Sequence, residues 1–99
     1  MRRRAQIDEN QPEIVAALRA AGASVQILSA VGRGCPDLLV GFAGRNLLLE
    51  VKYPLGTPSH QKLTPAQVEW HGAWRGQVVV VTSAAMALRA LGLGDRPAA

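Results

Sequence analysis

Two apolar segments joined by three residues constrain the fold of this chain more than any other feature of its sequence. The segments 37–42 (DLLVGF) and 46–52 (NLLLEVK) are each long enough for a strand, and Ala43-Gly44-Arg45 leaves room only for a tight turn. A β-hairpin is the simplest connection, because about two to five residues suffice to join antiparallel strands. In such a hairpin the start of the first strand lies beside the end of the second.

Helical and strand patterns alternate around this hairpin. Apolar spacing, capping residues and glycine stops predict helices at 11–21, 64–75 and 83–91, and short apolar runs predict further strands at 24–28 and 78–82. The consecutive valines of the last strand are typical of a strand buried on both faces. Prolines and a glycine predict an exposed loop at 53–63. The order α-β-β-β-α-β-α predicts an α/β fold in which helices flank a mixed central sheet and the last strand is parallel to its partner.

Two of the predicted helices begin with the residues of a capping box. Thr64 precedes Pro65, and Gln67 follows three residues after Thr64. Asn10 and Glu13 have the same spacing at the start of the first helix, with Asn10 in place of the usual serine or threonine. A structural role at a helix start is therefore an alternative to any catalytic role of Glu13 or Gln67.

Size and composition predict a single domain that comprises residues 1–99. With 99 residues, of which 48% are hydrophobic and 18% are charged, the chain can form one compact core but not two. The sequence has no apolar stretch long enough to cross a membrane, and its basic start lacks the apolar segment of a secretory signal. We therefore expect a cytoplasmic, intracellular protein whose ends, 1–8 and 93–99, are frayed.

Charge and cysteine content narrow the choice of partners and metals. The formal net charge is +4, and Arg2, Arg3 and Arg4 supply most of it, which is a modest indication of a polyanionic partner such as nucleic acid. A solubilising N-terminal tail explains the same charge equally well. One cysteine and two histidines exclude an intrachain disulfide and a cysteine- or histidine-based zinc site. Any bound metal ion must therefore be held mainly by oxygen.

Side chains able to hold such an ion meet at the end of the hairpin. Glu50 and Lys52 are two apart in their strand and share a face, whereas Val51 points to the opposite face. Asp37 opens the partner strand directly after Pro36 and is expected beside Glu50. Two neighbouring carboxylates repel each other unless a cation joins them, which indicates a hard divalent ion, Mg²⁺ or Mn²⁺. The main-chain carbonyl of Val51 is a further candidate ligand.

Such a centre has the composition needed for phosphodiester hydrolysis. A divalent ion polarises a phosphate and lowers the pKa of water, and Lys52 can orient that water or offset charge in the transition state. The alternative is an exposed cross-strand salt bridge beside a turn residue, worth only about 0–1 kcal/mol. That alternative explains Asp37, Glu50 and Lys52 separately, but it does not explain their joint placement.

The pair Pro36-Asp37, followed by Glu50-Val51-Lys52, resembles the signature of the PD-(D/E)XK nuclease superfamily. The segments GRGCPDLLVG, NLLLEVK and LTPAQVEWH are similar to its VRR-NUC branch, which includes small stand-alone proteins often carried by phages. The resemblance covers about residues 10–91 and implies a restriction-endonuclease-like core with the motif on the second and third strands. It also implies Mg²⁺ or Mn²⁺ as cofactor and a bacterial or phage-infected cell as the location.

The resemblance assigns a role to each residue of the motif. It implies that Asp37 and Glu50 are metal ligands, that Val51 offers its carbonyl, and that Lys52 serves the nucleophile. Gln67 matches a glutamine placed beside the active site in this branch. All are therefore expected in one catalytic centre.

The first helix is expected to supply one more acid. In the family an acid from this helix often completes the site, and Glu13 is the candidate because it lies at the margin of the apolar face, next to Ala17. Glu9, one turn earlier on the same side, is the alternative.

Basic and aromatic residues near the motif are candidates for contacts with partners. The residues expected to contact nucleic acid are Arg33, Lys62, His71 and Arg75. Trp70 and Trp74 are four apart on a predicted helix, a spacing that favours packing in the core or in a dimer over stacking on bases.

The sequence therefore favours a metal-dependent nuclease that hydrolyses phosphodiester bonds in DNA. Selectivity for branched or junction DNA is expected, because 99 residues leave little room for base-specific readout. The resemblance implies a homodimer, which would also offset the small core. One alternative is a non-catalytic nucleic-acid binding module on the same scaffold. Another is a small subunit that docks on a larger protein through its tryptophans.

Overall fold

The computed structural model describes residues 8–94, and within them four helices and four strands. The helices are α1 (Gln11–Ala20), α2 (Pro58–Gln61), α3 (Pro65–Ala73) and α4 (Ala84–Ala90). The strands are β1 (Ser24–Ile27), β2 (Leu38–Phe42), β3 (Arg45–Val51) and β4 (Val78–Val81). The predicted element order is confirmed, with the short helix α2 added. Within residues 8–94 we find no helix with the length and apolar character that crossing a membrane requires.

The strands form a mixed sheet in the order β1-β2-β3-β4. β2 is antiparallel to both β1 and β3, whereas β4 is parallel to β3, as the crossover through a helix predicts. The β2-β3 hairpin is tighter than expected, because Arg45 already pairs with Phe42. The turn therefore consists of Ala43 and Gly44, whose φ angles of 53° and 75° are the positive values that a type I′ turn needs.

One face of the sheet packs against α1 and α4 and forms the core. Val51 lies in this core and is fully buried, so the neighbouring side chains of Glu50 and Lys52 point to the opposite face, as predicted. Burial of each large aliphatic side chain in such a core stabilises the fold by about 1.5–3 kcal/mol. Its other fully buried members are Ile14, Leu18, Leu38, Val40, Leu49, Val81 and Ala87.

The opposite face of the sheet is only partly covered. β4 is an edge strand, and Val80 on its outer face is 36% exposed, whereas Val81 on the core side is fully buried. The prediction that this strand is buried on both faces is therefore wrong. A run of valines indicates high strand propensity, but it does not indicate whether other elements cover both faces of the strand.

Two further predictions about element positions need correction. The segment 53–63, expected to be a loop, contains α2, and α3 ends at Ala73 rather than near Arg75. Residues 1–7 and 95–99, which make up most of the ends expected to be frayed, lie outside the described residues.

Asn10 does not cap α1 with its side chain, so the capping box predicted for Asn10 and Glu13 is wrong. Its amide nitrogen instead donates to the carbonyl oxygens of Lys52 at 3.0 Å and Thr82 at 2.9 Å. These two carbonyls follow the ends of β3 and β4. Asn10 therefore joins the start of α1 to the ends of β3 and β4, and its side-chain amide stabilises this junction instead of capping the helix.

We expect Asn10→Ala to lower the free energy of unfolding by about 1–3 kcal/mol, because two partly buried carbonyls lose their donor. Asn10→Asp should be at least as destabilising, since a carboxylate keeps the capping acceptor but cannot donate. Denaturant unfolding measures both, and the exposed Asn46→Ala serves as the control. A neutral or stabilising Asn10→Asp would show that the side chain acts as a helix cap.

Candidate active site

A cavity of about 120 Å³ opens where β3 ends beside the start of β2. It brings together Asp37, Glu50, Lys52 and Gln67, which come from two strand ends and one helix. Asp8, His60 and Thr64 complete its lining. The convergence of carboxylates and amine expected from the hairpin is thus present in the structure.

Asp37 is held in place through both its backbone and its side chain. Its carbonyl accepts the N–H of Leu28 at 2.7 Å, and its Oδ2 accepts the N–H of Val51 at 2.8 Å. Its carboxyl group also lies within hydrogen-bonding reach of that of Glu50. Residues far apart in the chain therefore place two carboxyl groups in contact.

Glu50 and Lys52 are almost completely buried, with 1% and 4% of their surface exposed. Gln67 contacts both of them: its Oε1 accepts from Lys52 Nζ at 2.7 Å, and its Nε2 donates to Glu50 Oε2 at 3.1 Å. Buried ionisable groups destabilise a fold unless hydrogen bonds satisfy them. The amide of Gln67 supplies one bond to each group.

Gln67 is also the third residue of the capping box that starts α3. Its backbone N–H donates to Thr64 Oγ1 at 3.3 Å, and its Oε1 accepts the backbone N–H of Thr64 at 2.9 Å. The capping box predicted from the sequence is confirmed. The structural and the site interpretations of Gln67 therefore hold together, because one side chain makes both sets of contacts.

The electrostatics of the cavity disfavour the ionised form of Glu50. Burial raises the pKa of Glu50 to about 9, and the hydrogen bond with Asp37 and the negative charge of Asp37 contribute to the increase. The positive charge of Lys52 lowers the same pKa. Burial, and then the charge of Lys52, lowers the pKa of His71. The imidazole of His71 is therefore neutral at neutral pH, and its Nε2 lies 3.4 Å from Glu50 Oε1 at the edge of hydrogen-bonding distance.

The donor set suits a hard divalent cation. Asp37 and Glu50 offer carboxylate oxygens that repel each other when both are ionised, and a bound cation would remove that repulsion. Within residues 8–94, groups of three or more His, Cys, Asp or Glu side chains arranged for a metal ion are absent. Mg²⁺ accepts such a sparse site, because it commonly takes one or two carboxylates and keeps several waters.

The main chain of Val51 lies on the same side of β3 as Asp37. Its N–H donates to Asp37, whereas the N–H of the next residue, Lys52, donates to Val81 on the β4 side. The N–H and C=O of one strand residue point in the same lateral direction. The carbonyl of Val51 is therefore directed toward the Asp37 side, and its role as a ligand stays a prediction.

The acid that lies at the cavity near α1 belongs to the segment before the helix and not to the helix itself. Glu13 is exposed and is not part of the cavity lining, so its predicted placement at the site is wrong. Glu9 is also exposed and hydrogen-bonds Tyr53, which raises the pKa of that hydroxyl. Asp8 lines the cavity, and its Oδ1 lies 3.7 Å from His60 Nδ1. The cavity faces the segment leading into α1, whereas Pro12 and Glu13 in the first turn of the helix are exposed.

Sequence reasoning missed Asp8 and His60. Asp8 falls in the segment expected to be frayed, but its carbonyl accepts the N–H of Gln11 and so joins it to the start of α1. Burial raises the pKa of its carboxyl. His60 falls in the segment expected to be a loop, and the available signal was a histidine close to prolines that can order a turn.

The residues predicted to contact nucleic acid lie in different surroundings. Arg33, Lys62 and Arg75 are exposed, and Arg33 lies in a loop with a positive φ of 58°. His71 is directed at Glu50 rather than into open solvent. Contacts of all four with nucleic acid stay predictions.

Comparison with known proteins assigns no family to the chain. Neither models of protein families, nor curated proteins, nor solved structures give a match.

The loop before β2 packs directly on the start of α3, and Gly34 makes this contact possible. A Cβ at Gly34 would overlap the carbonyl group of Ala66 and lie 3.0 Å from Gln67 N, and its φ of +82° is in the left-handed region. Gly32 has a similar φ of +76°, but a Cβ there would meet no atom within 4 Å. This contact sets the distance between the β2 side of the cavity and Gln67.

We expect Gly34→Ala to lower the free energy of unfolding by at least about 2 kcal/mol, because a steric overlap adds to the backbone strain. The matched variant Gly32→Ala carries only the backbone strain, about 1 kcal/mol. Denaturant unfolding of the two variants checks the difference. Equal losses would mean that the approach to Ala66 is unimportant.

Proposed function

We propose that this protein is a Mg²⁺- or Mn²⁺-dependent nuclease that hydrolyses phosphodiester bonds in DNA, with a preference for branched or junction structures. The observation that carries the proposal is the cavity shared by Asp37, Glu50, Lys52 and Gln67. In it, hydrogen bonds of 2.7 and 3.1 Å from Gln67 join Lys52 to Glu50, and the carboxyl group of Asp37 lies against that of Glu50. A salt bridge made only for stability would not need two carboxyl groups in contact and an amide that bonds both acid and amine.

The fold supports the same proposal. The three-stranded antiparallel part of the sheet, the crossover through α3 and the parallel strand β4 follow the order of the restriction-endonuclease-like core. In that core the motif lies on the second and third strands; here Asp37 directly precedes β2 and Glu50 lies in β3. We therefore place the chain in the PD-(D/E)XK superfamily, VRR-NUC branch, as part of the proposal.

Each side chain of the cavity has a part in the proposed reaction. When bound, a divalent cation supplies positive charge for the phosphate oxygens and lowers the pKa of water. Asp37 and Glu50 would hold that cation, with the Val51 carbonyl as a further oxygen. Lys52 would position the attacking water and offset negative charge in the transition state. Gln67 fixes the direction of the Lys52 ammonium by accepting its hydrogen bond.

We expect Lys52→Met to reduce Mn²⁺-dependent cleavage at least about 100-fold, because it removes the ammonium while keeping a buried stem of similar length. Glu50→Gln should have a comparable effect. The control is Glu69→Gln, which changes an exposed acid on α3. A panel of branched and linear DNAs, incubated with Mg²⁺ or Mn²⁺, gives the rates, and circular dichroism checks the fold.

Two results would contradict the proposal in different ways. Unchanged cleavage by Lys52→Met would remove Lys52 from the catalytic centre. Binding of DNA by the native chain, without cleavage under any divalent ion, would identify the non-catalytic binding module.

Metal binding is testable without activity. We expect Mn²⁺ to raise the melting temperature of the native chain, because a ligand that binds only the folded state stabilises it. Asp37→Asn should lose most of this increase, since it removes an anionic ligand. The matched variant Glu69→Gln should keep it. An equal increase in native chain and Asp37→Asn would locate the ion elsewhere.

A further inference from the structure

A second depression, larger than the cavity, lies beside it on the outer face of the sheet. Its volume is about 360 Å³. Apolar side chains of the sheet and of α3 form its floor and wall, and two amide side chains are exposed at its rim. We call it the tryptophan groove; its defining residues are Leu39, Leu48, Trp70, Trp74, Asn46 and Gln77.

The tryptophan groove is continuous with the candidate active site. Leu48 and Glu50 are two apart on the same face of β3, about 7 Å along the strand. On α3, Gln67 contacts Glu50, and Trp70 is one turn further on, beside Leu48. His71 bridges the two regions, because it contacts Glu50 at 3.4 Å and its ring is 6.1 Å from that of Trp70.

The two indole rings form a flat aromatic surface. Their centroids are 4.6 Å apart with an interplanar angle of 19°, so they are stacked. Trp74 is 47% exposed, which leaves much of the pair accessible. The sequence predicted packing in the core or in a dimer; within the chain, Trp74 lies at the rim of a groove rather than in the core. An exposed stacked pair of this kind can accept another flat ring.

The chemistry of the groove identifies the class of ring. Its floor is apolar, Asn46 and Gln77 can donate and accept hydrogen bonds at the edge, and its lining in the described chain includes no acidic residue. Arg75, directly after Trp74, is exposed and supplies positive charge. An aromatic face, a hydrogen-bonding edge and a neighbouring anion are together the properties of a nucleotide.

We propose that the tryptophan groove binds an unpaired nucleobase of the strand whose phosphate occupies the cavity. The inference rests on the proposed function and specifies its substrate: DNA with single-stranded nucleotides next to the scissile bond. A base inside a duplex is stacked on both faces and cannot enter the groove without being extruded. Selectivity for branched structures would then come from the unpaired nucleotides at the branch.

Tryptophan fluorescence tests the inference directly, because Trp70 and Trp74 are the two tryptophans of the sequence. The native chain is titrated, without divalent ions, with a short single-stranded oligodeoxynucleotide, with the same backbone lacking bases, and with a blunt duplex. We expect the base-containing single strand to quench the fluorescence and the abasic strand to quench it far less.

Variants of Trp74 test the contact by a second measurement. Fluorescence anisotropy of labelled DNA should show that Trp74→Ala weakens single-strand binding about tenfold, that Trp74→Phe restores most of it, and that duplex binding is unchanged. Val68→Ala, an exposed apolar position on the same helix, is the matched control. Because nearly half of the Trp74 surface is exposed and the residue lies outside the core, both of its variants should fold.

Four outcomes would overturn the inference. Equal quenching by base-containing and abasic strands would show that the groove does not recognise bases. Equal loss of single-strand and duplex binding by Trp74→Ala would indicate a general backbone contact. A native dimer that Trp74→Ala converts to a monomer in sizing experiments would show that a second copy covers the groove. The first two leave the proposed nuclease intact, whereas absence of binding to every DNA would overturn both proposals.

Discussion

The side-chain amide of Gln67 is the contact on which the arrangement of the cavity depends. Val51 packs in the core, so Glu50 and Lys52 on either side of it point to the opposite face of the sheet, where both are buried and Gln67 of α3 contacts both. A buried donor or acceptor without a partner costs about 1–3 kcal/mol. The side chain of Gln67 accepts a hydrogen bond from Lys52 and donates one to Glu50, and Gln67 is also part of the capping box at the start of α3. The position of α3 therefore decides whether the buried groups of Glu50 and Lys52 have hydrogen-bond partners.

The parts of the fold that follow from local pattern were predictable. A hairpin with one buried face has a fixed register, because a shift of one residue would expose the whole apolar face. That register brings Asp37 to Glu50 and turns Glu50 and Lys52 to one side. The start of α3 was equally predictable, since a capping box depends on residues only three apart.

The parts that depend on contacts between distant residues were not predictable in the same way. Asn10 has the spacing of a helix cap, yet it bonds carbonyls 42 and 72 residues away. No local pattern distinguishes these two uses of an amide. Likewise, Asp8 rather than Glu13 reaches the cavity because the tertiary position of α1, and not its own periodicity, decides which acid faces inward. The partial exposure of β4 has the same origin.

The ties that Asn10 makes to the ends of β3 and β4 have a kinetic consequence. The hairpin can form from neighbouring residues, but the cavity also needs the segment before α1, the turn of α2 and the start of α3. Bringing these distant segments together closes large loops, which is slow and entropically unfavourable. The favourable contacts form only when all of these segments are in place. The cavity should therefore be among the last features to assemble, so that nascent or partly unfolded chains carry the motif without the cavity that brings its side chains together.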